Sequence, residues 1–240
     1  MQSLLRQPPA DVFPVAIPDD TRHSVLTLMW QVAMESGVPL ESHHEVLHAA
    51  VHVFDKTAPF VLARASRSVA EFQEKAMLLA IAVWRMCLKN DSNTITSFVR
   101  LDLAAIIGII RSSTGLAVPD SITQEAVARQ ELELLLQHPC VFSEPSPMTW
   151  LNALWCRFDT VTGGALAAAV DGCRASSFDK RLLWFTVLRR PSSPNRAPWA
   201  QAVGAFALLL LKVGLLTPSA LQPAGHAGAV WECALQAVVG

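Results

Sequence analysis

The sequence predicts an all-α protein built as two helical bundles, and three observations carry that expectation. Apolar residues recur at helical spacing along most of the chain, with no convincing run of period-two alternation. Residues Ala76 to Trp84 are nine consecutive apolar positions, and Ala202 to Leu211 is nearly as uniform. A helix that is apolar on every side has to be surrounded by other helices, so each half of the chain needs a bundle around its own central helix. Tyrosine, a common strand residue, is absent.

Residues 1–20 read as an extended arm, because Pro8, Pro9, Pro14 and Pro18 interrupt any helix there. A first helix is expected over 21–36, with Val25, Leu28, Met29 and Val32 on one stripe and Gly37 as its stop. A second is expected over 42–56, facing inward through Val46, Ala49, Ala50 and Val53, with a loop over 57–67. The third, over 68–88, contains the apolar run and ends at the polar break Lys89 to Asn93. A fourth carries Leu101, Ala104, Ala105, Ile107 and Ile109 and ends near Gly115. Pro119-Asp120-Ser121 is expected to cap a fifth, with Ala128, Leu132, Leu135 and Leu136 as its inner stripe. In the second half, helices are expected over 147–158, 163–173, 178–189, 198–216 and 226–239, with an exposed linker at 191–195.

Composition narrows the function classes. Hydrophobic residues are 52% of the chain and charged residues 16%, which excludes low-complexity disorder for most of it. Nineteen basic and twenty acidic residues give a net charge of -1, so no electrostatic case exists for nucleic acid or for an anionic membrane surface. Five cysteines without a CxxC spacing argue against a disulfide framework or a cysteine zinc site, and point to a reducing compartment. The N-terminal residues have no sustained apolar run of the signal-peptide kind, and the stretch 202–211 is about half the length that spans a bilayer. The expectation is an intracellular protein, nuclear or cytoplasmic, neither secreted nor membrane-bound.

Three segments then resemble the cyclin box, the five-helix fold of the cyclins. Leu47-His48-Ala49-Ala50-Val51 with Phe54-Asp55-Lys56 is similar to the family's second helix. Phe72 to Ala80 is similar to its buried third helix. Arg129-Gln130-Glu131 through Pro145-Ser146 is similar to the fifth helix and the turn after it. The likeness begins at Arg22 and fades in the second half, where the family usually carries a second, related repeat. The resemblance implies an N-terminal arm over 1–20, a cyclin-like five-helix box over 21–145 and a degenerate cyclin-like bundle over 146–240. It also implies a non-catalytic subunit that binds and positions a protein kinase of the cyclin-dependent class. In that family a lysine on the third helix and a glutamate on the fifth grip the kinase. Glu131 stands in the glutamate's place and Ala82 in the lysine's, with Arg85 and Lys89 one and two turns further along the same face. Glu131, Arg85 and Lys89 are therefore the expected partner-binding residues; the alternative is that Glu131 and Arg85 only pair with each other across two packed helices, an exposed bridge that contributes about 0–1 kcal/mol. The loss at Ala82 keeps open an adaptor or scaffold in a transcription or meiotic assembly, one that activates no kinase.

The sharpest rival is His44-Glu45-Val46-Leu47-His48, which matches HExxH. On a helix the two imidazoles share a face and can hold zinc, with Glu45 as general base. A metzincin continuation is missing, since Val51 and Phe54 stand where its glycine and third histidine belong, and no source of substrate-gripping strands precedes the motif. No metal, cofactor or catalytic residue is expected, and a zinc hydrolase is the remote alternative. The seven tryptophans fall within helical patterns and default to core packing, with one or two left open as interface anchors.

Overall fold

A computed structural model describes residues 15–35, 40–63, 68–90, 103–114, 117–172 and 198–216. Helices dominate these residues and no strand occurs among them. The helices expected over 178–189 and 226–239, the linker at 191–195 and most of the N-terminal arm lie outside the described residues. Up to Glu144 the described residues form one compact unit, and from Pro145 onward they form a second.

The first unit opens with extended residues 15–18. Helix α1 (Asp19–Glu35) follows, its first turn carrying Asp19 and Asp20, which favour the positive end of the helix dipole. It buries Val25, Leu26, Leu28, Met29, Val32 and Ala33. Helix α2 (Leu40–Leu62) runs six residues past the expected stop, through Pro59. A proline inside a helix costs about 3 kcal/mol. Here the burial of Ala58, Val61 and Leu62 offsets that cost, and the Pro59 carbonyl, in the last turn of the helix, accepts the Val15 N–H at 3.0 Å.

Helix α3 (Val69–Asn90) is the axis of this unit. Ala76 and every residue from Leu79 to Trp84 are buried, and α1, α2 and the later helix α5 all pack on it. Helix α4 (Leu103–Thr114) lies on α1 and buries Leu103, Ile106 and Ile110 at i, i+3 and i+7. Helix α5 (Gln124–Gln137) starts two residues beyond the expected cap: the Thr123 hydroxyl, not Pro119-Asp120-Ser121, accepts the Ala126 N–H at 3.2 Å. A 3-10 turn, Val141–Ser143, then docks on α2.

The second unit pairs helix α6 (Pro147–Thr162) with helix α8 (Pro198–Lys212), with the short helix α7 (Ala165–Gly172) beside α6. Ser146 caps α6, and Gly163 ends it at φ 63°, a left-handed conformation that glycine adopts without strain. The Asp159 carboxylate accepts the N–H groups of Leu166 and Ala167 and so caps α7. Met148, Leu151, Leu166, Ala202, Ala205, Phe206, Leu209 and Leu210 make the core, with Phe158 meeting Phe206 edge-on at 5.6 Å. No described helix is long and apolar enough to cross a membrane.

Candidate partner-binding face

The outer side of the first unit is set by how α5 seats on α3. Val127, Gln130 and Leu134 point inward at i, i+3 and i+7. Reading Ala128, Leu132, Leu135 and Leu136 as the inner stripe is therefore corrected: these four are exposed, the leucines at 57%, 50% and 66%. α5 has apolar residues on two faces, and periodicity alone does not say which one packs. The face that packs is the one that brings Glu131, at its edge, to the cations of α3.

All three residues expected at the site come together there. Lys89 Nζ donates to Oε2 of Glu131 at 2.6 Å, and Arg85 Nε lies 3.3 Å from Oε1, close enough to pair though not aligned as a hydrogen bond. Arg85 Nη1 also donates to Oε1 of Gln124 at 3.0 Å, on the first turn of α5. Ser121 donates to the Glu74 carboxylate, tying the segment before α5 to α3 a second time. The side chains of Arg85 and Glu131 are only 11% and 12% exposed, while Lys89 is 58% exposed. Glu131 is thus a strut between α3 and α5, and of the three only Lys89 offers its charge freely to solvent. Ala82, on the same helix, is fully buried.

What surrounds the strut is apolar. Leu132, Leu135 and Leu136, with Ala128, make a stripe along one side of α5, bordered by exposed Glu133 and by the Glu125–Arg129 pair at 3.7 Å. A surface pair of that kind contributes about 0–1 kcal/mol. Contiguous exposed leucines on a helix face are the kind of patch that marks interaction surfaces. The sequence held the signal for this, in the two competing stripes of α5. Trp84 is buried in the first unit, whereas in the second unit Trp150 and Trp199 are 39% and 41% exposed, within the one or two left open as lying outside the core.

The zinc motif is divided by its surroundings. His48 is buried at 1% exposure in the first unit's core, whereas Glu45 is exposed. The His44 side chain lies outside the described residues. Among the described residues no group of three or more His, Cys, Asp or Glu side chains converges to hold a metal ion.

One long-range pair spans the resembling region. Arg22 on α1 grips Asp55 on α2 through two hydrogen bonds, Nε to Oδ1 at 2.9 Å and Nη2 to Oδ2 at 2.7 Å. Burial raises the Asp55 carboxyl above its ordinary value, and the Arg22 guanidinium pulls it back.

No family model matches this chain, and no curated protein or solved structure matches it either.

Proposed function

We propose that the chain is a non-catalytic, cyclin-like regulatory subunit that docks a protein kinase of the cyclin-dependent class on the face formed by α5 and the C-terminal half of α3. The observation that carries this reading is the exposed Leu132–Leu135–Leu136 stripe beside the Arg85–Lys89–Glu131 cluster. Supporting it is the packing of α1, α2 and α5 around a buried α3, an arrangement similar to a five-helix box. The Arg22–Asp55 pair also joins the residue where the likeness begins to the aspartate of its second-helix motif. In this reading Arg85, Lys89 and Glu131 hold the face in shape, with Lys89 at its rim. The leucines supply apolar contact area for the core of the interface.

A second reading is an adaptor of the same fold that positions a protein without activating a kinase. Buried Ala82, where the family's gripping lysine belongs, favours it. Affinity purification of the full chain with mass spectrometry, beside a Leu132→Glu, Leu136→Glu variant, tests both. The kinase reading expects a kinase retained by the native chain and lost in the variant, with the melting temperature held. Retention of other proteins only, again lost in the variant, selects the adaptor. Partners indifferent to the two leucines refute the face.

A further inference from the structure

The 3-10 turn after α5 has few fastenings of its own. It is three residues long, and the Glu144 N–H reaches the Val141 carbonyl only at 3.4 Å. Its anchor is a side chain. Glu144, the last residue of the first unit, places Oε2 3.1 Å from Nε2 of His52 and 3.8 Å from Nζ of Lys56, one turn further along α2. The carboxylate can only accept, so the imidazole carries its proton on Nε2 and donates it. His52 is 8% exposed, whereas Glu144 is 40% exposed and within reach of water.

We propose that the His52–Glu144 contact is an acid-opened clasp on the point where the chain leaves the first unit. Closed, it holds the turn on α2 with a neutral imidazole. A second proton on His52 puts a full charge into a site closed to water, and separating the turn from α2 lets water solvate that charge. The groups that bear on His52 are Glu144 from the turn and, on α2, Lys56 and Asp55, the latter held by Arg22 of α1. Burial outweighs the attraction of Glu144 and lowers the His52 value below 6.5. A histidine lowered in the closed state favours closure fully above the value it has in water, about 6.5, and loses that advantage as the pH falls below it. At pH 5.5 the opening equilibrium therefore increases by up to about tenfold.

Hydrogen exchange of the full-length chain reads this directly. The Val141, Ser143 and Glu144 amides are each bonded within the turn. Normalised to intrinsic rates, their opening should rise between pH 7.5 and 5.5, by up to about tenfold. His52→Gln keeps a donor at the same reach but does not titrate, so the acid response should vanish. Glu144→Ala, which removes the acceptor, should raise exchange at pH 7.5. Equal native opening at both pH values, an undiminished response in His52→Gln, or native protection in Glu144→Ala would each overturn the clasp.

Discussion

Replacing Arg22 with leucine removes the cation while leaving its apolar reach. Arg22 is 4% exposed and Asp55 is 20% exposed, so the carboxylate keeps its place among packed helices but loses both of its guanidinium hydrogen bonds. Breaking a buried pair from one side costs about 3–5 kcal/mol, because a charge is left unmatched. The partial exposure of Asp55 puts the expected loss at the low end, about 3 kcal/mol. Replacing both residues with leucine removes the stranded charge and should recover all but about 1 kcal/mol of it, since well-packed apolar pairs replace ion pairs at little cost. The loss should also depend on pH. Burial already raises the Asp55 carboxyl, and without Arg22 it rises further. A carboxyl raised in the fold contributes stability below its unfolded value and loses it as the pH climbs through the folded one. The Arg22→Leu deficit should therefore narrow as pH falls toward ~4. Urea titration followed by exchange of the α1–α3 amides measures all three quantities. A deficit under about 1 kcal/mol at neutral pH, or a double variant no better than the single, would refute the claim that this pair joins α1 to α2 in a desolvated setting.

Leu79→Ala, at the fully buried middle of α3, should cost about 2–5 kcal/mol by leaving a cavity, measured as a lower urea midpoint. Ser146→Ala removes the cap of α6 and should cost about 1 kcal/mol, seen as faster exchange in its first turn alone. Elemental analysis of the purified chain should find no stoichiometric zinc, and His48→Ala should lower stability without releasing any metal. One zinc per chain, lost in that variant, would restore the hydrolase reading.

The two apolar runs were legible as core: nine apolar residues in a row leave no polar face to expose, and in α3 seven of them are buried, with Met77 and Leu78 half-buried. α8 follows the same logic, with most of Ala202 to Leu210 buried. Two features were misread for physical reasons. The second helix was expected to give way to a loop after Lys56, yet the apolar residues beyond it carry α2 on through Pro59 to Leu62. On α5 the richer leucine stripe looks like the core, but Val127, Gln130 and Leu134 are buried instead. That rotation also brings Glu131 to Arg85 and Lys89. The charged cluster was expected only through the resemblance, and its burial was not expected. That burial changes the choice of probe, since charge reversal at Glu131 strips two cations on α3 of their partner and disturbs the fold along with any binding. The exposed leucines carry no such penalty.

The most direct test of the partner-binding face is therefore a photo-crosslinking amino acid at position 136, the most exposed leucine of α5, with position 69 at the far end of α3 as control. In cells, position 136 should crosslink to a protein kinase of the cyclin-dependent class and position 69 should not. Crosslinks at position 69 with none at 136, or the same products at both, would contradict the account.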